Sequence, residues 1–558
     1  MPDYTSALGL YKPNRADSLA FDTTLSDNFQ AIDEKLGTAL TDEEGTTHSN
    51  LRDRLRADLN RAFRGLPEVN VKDAPYNAKG DGTTNDTQAI QRALNDVRDL
   101  GGGTVLIPDG VFMTHATLEV FSRTKIKLSH KATVERAVSF SPMFLNGRKG
   151  VDNFFGYDGH GEILIEGGTI DGGASINSRA SEIMFIHGKN IVFQDINFIN
   201  NFDSHFIEVN ACDGVKVLNC FFHKYSGNRL TEAIQIDLAK DSNVFPHMGA
   251  YDNTNCNDVL VQGCTFRDCS RGVGTHSAVA GYPATNIRII GNHFEDLEAQ
   301  AVRGFDWNNV TVLGNTMIRC GEGVEIRSVE QDCYNWTVAD NIIIDPHRVG
   351  HAVMVTEDNG RTSHEITIVG NTCNGAGSNT FYFRNATRVI VANNTIDGSN
   401  GSSLWFTGNA NRVKISGNLI SNTQARGISF EGSTMSRVTI VDNTIDGATS
   451  FGIAVYGVNH GIIANNYVRN TSNFAIYLTA GADFFNVTGN KTFGSQEIHI
   501  RLSDGANDNL ITGNHIHGGH ASAVNITGTC SNNAVIGNFG RGKTFSGGTN
   551  STYEMNVA

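Results

Sequence analysis

Glu208, Glu232, Asp237 and His276 lie around an insertion in an otherwise regular chain, and the chemistry they suit is cleavage of a glycosidic bond. That reaction needs one protonated carboxyl group to donate to the leaving oxygen, and a second carboxylate to attack or to activate water. Glu208 and Asp237 are the expected pair, with Glu232 beside them and Glu325 as the rival carboxylate. His276 is suited to orienting a carboxylate or shuttling a proton, and Arg303 to binding an anionic substituent. Gln235, Glu325, Arg327, Tyr382, Arg384, Trp405 and Tyr456 are the expected substrate-binding residues. Their rings suit the flat apolar faces of sugars, and their amide, carboxylate and guanidinium groups suit hydroxyls and charged substituents.

Residues so far apart meet only if the chain is periodic. Asn292, Asn315, Asn341, Asn371, Asn394, Asn418, Asn443, Asn466, Asn490, Asn514 and Asn538 each close a Val/Ile-rich stretch, as in Ile366-Thr367-Ile368-Val369-Gly370-Asn371. A period of roughly 24 residues fits three short strands per copy, and a copy that cannot bury its apolar side alone must stack on its neighbours. The predicted fold is all-β, a right-handed parallel β-helix.

Within each copy one strand follows a small-apolar-x-apolar-x pattern, as in Ala233-Ile234-Gln235-Ile236-Asp237 and Gly323-Val324-Glu325-Ile326-Arg327. Alternation directs the two x positions outward. The outward pairs are Glu208/Asn210, Gln235/Asp237, Gly274/His276, Arg303/Phe305, Glu325/Arg327 and Met354/Thr356, then Tyr382/Arg384, Trp405/Thr407, Ser429/Glu431, Ala454/Tyr456, Tyr477/Thr479 and His499/Arg501. They predict one solvent-facing strip roughly 50 Å long at ~4.8 Å per strand, charged at its start and aromatic later. Cys220 and Cys264 are equivalent positions separated by about 20 residues more than one turn needs, which places an inserted loop at about 222–256, beside the acidic residues.

The formal charge of −14 argues against a nucleic-acid partner. No apolar run is long enough to cross a membrane, and the first residues do not read as an export signal. Nine cysteines without Cys-x-x-Cys spacing are expected as small apolar residues stacked in the coil, Cys212 over Cys256 and Cys220 over Cys264. Residues 1–68 are charged, with Leu51, Leu55, Leu59, Ala62 and Phe63 forming one apolar helical stripe that implies self-association. Residues 69–135 read as a cap with the first turns, including a helix through Ala89, Ile90, Ala93, Leu94 and Val97. The body spans 136–540, and 541–558 is a glycine- and serine-rich tail.

The stretch from Tyr76 to Pro108, with Tyr76-Asn77-Ala78-Lys79-Gly80-Asp81-Gly82-Thr83-Thr84-Asn85-Asp86 and Gly101-Gly102-Gly103-Thr104-Val105-Leu106-Ile107-Pro108, resembles the N-terminal signature of the pectate-lyase-like β-helix superfamily, which includes bacteriophage tailspikes and polysaccharide depolymerases. Leu25 to Gly37 is similar to the attachment segment of phage tail proteins. The resemblance implies a homotrimeric spike on the virion tail, joined to the phage through residues 1–68, that binds and hydrolyses a host cell-surface polysaccharide. It also admits a lyase acting on a uronic-acid glycan, a teichoic-acid phosphodiesterase and a non-catalytic adhesin. No cofactor or metal is expected for the hydrolase; a lyase would call for calcium or an arginine to neutralise the substrate carboxylate.

Overall fold

The computed structural model describes residues 63–557, apart from 348, 349 and 433, and scattered positions before residue 63. The expected attachment segment and the stripe from Leu51 to Ala62 lie outside the described residues. From Glu68–Asn70 onward the chain winds into a right-handed β-solenoid of about 19 turns and three parallel sheets. Each strand pairs with its counterparts one turn earlier and later, as in the column Ile366, Val389, Val413 and Val438. Inward Val, Ile and Phe side chains stack on their own kind at the strand spacing. Phe222, Phe266 and Phe294 form one such pile, with successive ring centroids 4.8 and 4.6 Å apart.

The recurrent asparagines turn into the coil rather than serving only as corners. Asn394 donates from its backbone N–H (3.0 Å) and from Nδ2 (2.9 Å) to Asn418 Oδ1, while Nδ2 also donates to Ile368 O at 3.0 Å. The same bonds link Asn292 through Asn538 and continue to Asn556. Backbone groups at this corner cannot reach water, and each amide satisfies several of them. Toward the N-terminus cysteine takes the position: Cys220 N–H donates to Cys264 Sγ at 3.4 Å, and Cys264 N–H to Asn292 Oδ1 at 2.9 Å. Cys212 stacks with Cys256 in the same way, and all nine cysteines are free and buried.

The helix Thr87–Asp99 covers the first turns, with Ala89, Ile90, Ala93, Leu94 and Val97 buried beneath it. Asp86, just ahead of it, accepts hydrogen bonds from Lys79 N (2.7 Å) and Gly80 N (2.9 Å), which ties down the glycine-rich stretch. At Gly80, with φ +58°, a Cβ would sit 2.7 Å from the Phe112 ring, so only glycine fits. At the other end, residues 541–557 do not stand apart as a tail. Thr544–Thr549 and Thr552–Glu554 pair with the preceding strands and make the last turn, because their alternation continues the repeat.

The inserted loop is shorter than expected. Glu232–Asp237 is a strand of the solenoid, paired to Ile207–Asn210, so the excursion runs only from 238 to 256 before Asn257–Gln262 resumes the turn. Glu232 therefore opens a strand and is not a loop residue.

Candidate active site

The outward strip exists as one register. Glu208 pairs with Gln235, Gln235 with Gly274, Gly274 with Arg303, Arg303 with Glu325 and Glu325 with Met354. Met354, Tyr382, Trp405, Ser429, Ala454, Tyr477 and Arg501 follow in line. Arg501 opposite Tyr477 corrects the last turn. His499 falls short of its strand and is buried in the corner, bonded to Thr492 Oγ1 (2.9 Å) and Gly518 O (3.0 Å).

Outward does not mean open to water. Glu208 is 3% exposed and Asp237 0%; Gln235, Arg303 and Glu325 are also buried. Tyr382, Trp405 and Tyr456 are half-buried, and of the expected binding residues only Arg384 is exposed. Large side chains one strand apart cover one another, which isolated alternation does not register. His351 stacks on Tyr382 at 5.4 Å, Tyr382 lies 5.4 Å from Trp405, and Tyr456 meets Tyr477 edge-on at 5.8 Å.

The strip is also three residues wide. The residue before the small one joins it: Glu232 pairs with Arg271, and Gln300 with Glu322. This column adds His205, Arg271, His351 and Arg426, none of which the reading of residues singled out. Its signal was legible in Glu232-Ala233, Arg271-Gly272, Gln300-Ala301 and Glu322-Gly323, where a polar residue regularly precedes the small one. Arg426 ion-pairs with Glu431 and lies over the Tyr456 ring at 5.3 Å.

Glu208 and Asp237 lie on adjacent strands, one strand up and two residues along. Asn210 Nδ2 donates to Glu208 Oε1 at 3.1 Å, and Gln235 Nε2 to Asp237 Oδ2 at 2.7 Å; Leu238 N–H donates to Asp237 Oδ1 at 2.9 Å. Burial dominates both carboxyls. It pushes Glu208 up to about 8, reinforced by the neighbouring Asp237 charge, and Asp237 up to about 6 against the pull of His276. Near neutral pH Glu208 holds a proton and Asp237 is ionised. Asn210 Oδ1 and Gln235 Oε1 beside them are buried acceptors with no partner among the described residues. Glu325 is pushed up to about 7, first by burial and then by Glu322.

Glu232 is the opposite case. It is fully buried, yet Arg303 Nη2 donates to its Oε1 at 2.8 Å, Arg271 Nη1 stands 3.6 Å from the same oxygen, and His276 Nδ1 lies 3.2 Å from Oε2. Burial is the largest influence and raises its pKa, but His276, Arg303 and His205 together hold it down to about 2. Desolvation is the largest influence at His276 too and lowers its pKa, but the Glu232 bond together with the charges of Asp237, Glu232 and Glu208 leaves it raised. His276 keeps 39% of its side chain exposed and faces both Asp237 and Glu208.

The potential ligand atoms of His205, Glu232 and His276 lie within 4.8 Å of one another, so these three could group round a cation. Glu232 and His205 Nδ1 are already engaged, whereas His205 Nε2 is buried with no hydrogen-bond partner among the described residues. His205 Nδ1 donates to Glu232 O at 2.7 Å, and one Glu232 oxygen faces two guanidinium groups. That donor set fits an arginine-clamped carboxylate better than a metal.

Three family models match the chain: "Rhamnogalacturonase A/epimerase, pectate lyase-like" over residues 68–325, "Right handed beta helix region" over 350–460, and "Periplasmic copper-binding protein (NosD)" over 406–553. Among curated proteins, the Plasmin and fibronectin-binding protein A of Streptococcus pneumoniae is 25% identical over 395 residues, covering 59% of this chain and 54% of that protein. An SPbeta prophage-derived uncharacterized protein of Bacillus subtilis is 28% identical over 141 residues, 25% of this chain and 21% of that protein. The chain thus spans about half or less of the length of these relatives. Among solved structures, a tailspike protein of an E. coli bacteriophage in complex with a pentasaccharide superimposes with a TM-score of 0.48 at 14% identity, covering 82% of this chain and 80% of that one.

Proposed function

Because this chain is a right-handed β-helix of the pectate-lyase-like families, we propose that it binds an extended cell-surface polysaccharide along the strip and hydrolyses it at Glu208 and Asp237. The observation that carries the reading is the pair itself: two carboxyls on adjacent strands, one held protonated and the other ionised near neutral pH, at one end of a strip that turns aromatic. Glu208 donates its proton to the glycosidic oxygen as the bond to the anomeric carbon breaks. Asp237 takes the proton of the attacking water, or attacks that carbon before water releases the sugar; in both cases one water is consumed and a new reducing end appears. Asn210 Oδ1 and Gln235 Oε1 supply acceptors for substrate hydroxyls, and His276, held by Glu232, faces both carboxyls.

On this proposal the protein is a homotrimeric tailspike of a virion, acting at the host surface and attached through residues 1–68. The prophage-derived relative supports a phage origin. An outward column on another sheet, Ile290, Leu313, Ala339, Val369 and Ala392, offers an apolar face for copies of the chain. The test is release of soluble oligosaccharide from purified capsular and cell-wall polymers by wild type, Glu208→Gln and Asp237→Asn. Product from wild type alone supports the reading, and equal product from all three refutes it.

A second reading, a non-catalytic adhesin, is favoured by the burial of both carboxyls and by the name of the pneumococcal relative. It predicts binding without product. A lyase fits less well, since Arg303, its expected partner for a uronate, is already bound to Glu232.

A further inference from the structure

The strip is blind at one end. Leu145, Met184 and Ile186, outward residues of the two turns before Glu208, are apolar and buried. The register sets Met184 opposite Glu208 and Ile186 opposite Asn210, so they are the strip's direct continuation. Phe245 and Met248 of the 238–256 excursion cover them, with Phe154 of a second loop packed alongside.

The two loops form one block. Gly150 N–H donates to His247 O (2.8 Å), Ala250 N–H to Phe154 O (2.9 Å), Gly156 N–H to Asp252 Oδ2 (2.7 Å) and Tyr157 Oη–H to Asn255 O (2.9 Å). His187, fully buried beneath them, is bonded through Nδ1 to Gly156 O (2.6 Å) and through Nε2 to Ala250 O (2.9 Å). A polymer lying on the strip can run on past Tyr382 and Trp405, but in the other direction it meets this wall immediately beyond Glu208.

Where wall and strip meet is a cavity of about 190 Å³ with Glu208 at its edge, lined also by Ser181, Ser204, Asn243, His247 and Arg179. A space of that size is on the order of one sugar ring.

We propose, resting on the hydrolase reading above, that the protein takes its polysaccharide by a chain end: the terminal sugar enters this cavity, any anionic substituent it carries faces Arg179, and the chain is shortened one sugar at a time. The bond cut is the one between the terminal sugar and its neighbour. The proton comes from Glu208 and the hydroxyl from water.

The experiment uses the full chain and a panel of purified bacterial surface polysaccharides, each intact and sonicated to about a tenth of its length. Competition for binding by the Glu208→Gln protein should improve about tenfold at equal mass for the sonicated polymer, in proportion to its ends. With wild type, a single small sugar should appear from the first time points while the residual polymer stays long. A broad ladder of oligomers at early times, or competition that follows mass alone, would overturn end capture while leaving the hydrolase intact. End-dependent binding without any product would instead sink the hydrolase and keep end capture, and no binding to any polymer would sink both. Replacing residues 241–249 by a glycine-serine linker should turn single-sugar release into a ladder; unchanged products from a soluble variant would also count against the wall.

Discussion

Arg303 Nη2 reaches back across an intervening strand to donate to Glu232 Oε1 at 2.8 Å, and the two side chains meet over Gly274. A Cβ at Gly274 would sit 3.2 Å from Glu232 Cγ and 2.7 Å from Arg303 O, so the pair depends on glycine at that position. Gly274→Leu should separate them, with a loss of stability of about 3 kcal/mol in urea melts, since a buried charge left unpaired is costly. Unchanged stability would mean that Glu232 is not clamped.

Glu232→Gln leaves Arg303 and Arg271 without their carboxylate and should cost about 3–5 kcal/mol. The sign of its pH dependence follows from the depressed pKa. The native state holds Glu232 at about 2, below its ordinary value of 4.5, so its contribution is complete above 4.5 and is lost as pH falls toward 2. Acid melts of wild type and Glu232→Gln should converge below that window and diverge above it.

Catalysis should peak between the two raised carboxyls. Asp237 must be ionised, which fails below about 6, and Glu208 must be protonated, which fails above about 8. kcat/KM is therefore expected to be bell-shaped with limbs near those values, belonging to the interacting pair as a unit. A profile flat from 5 to 9 (on the order of the range in which such groups titrate) would exclude the assignment.

The corner ladder is structural. Asn418 Oδ1 accepts from Asn394 N and Nδ2, while its own Nδ2 donates to Val391 O and Asn443 Oδ1. Asn418→Leu strands several buried polar groups and should cost about 3 kcal/mol or more, read as a fall in Tm; a neutral result would show the ladder to be dispensable.

Trp405 and Ile326 sit on opposite faces of the same sheet. Trp405→Ala should weaken polysaccharide binding about tenfold at a stability cost of about 1 kcal/mol, because the ring is half-buried against Tyr382. Ile326 is wholly inside, and Ile326→Asp should abolish folding, seen as loss of soluble protein. Intact binding by the first, or a soluble second, would reverse the inward and outward faces.

The repeat, its strand register and the cap helix were legible because each rests on a local period: the asparagine spacing, the small-apolar-x-apolar-x alternation and the helical stripe from Ala89 to Val97. What a period of two does not carry is the polar residue before the small one, so the partners of Glu232 were only partly visible and Arg271 and His205 went unremarked. The sealing of Glu208 and Asp237 was hidden for a different reason. Besides the neighbouring strip side chains, Glu208 is closed in by Asn243, Val244, Pro246 and His247 of the 238–256 excursion, and Asp237 by Leu238 and Ser277, contacts with no spacing to read. His499 was misplaced because it lies two residues short of Arg501, which stands a full 24-residue period beyond Tyr477, and a slip of two leaves the parity unchanged.

The central claim is that Glu208 and Asp237 break a glycosidic bond with water. It is tested most directly by running the reaction in heavy-oxygen water with wild type, Glu208→Gln and Asp237→Asn and weighing the released sugars. One heavy oxygen in each new reducing end from wild type, with no product from either variant, is the predicted result. Unlabelled, unsaturated sugars, or labelled product at wild-type rate from either variant, would contradict it.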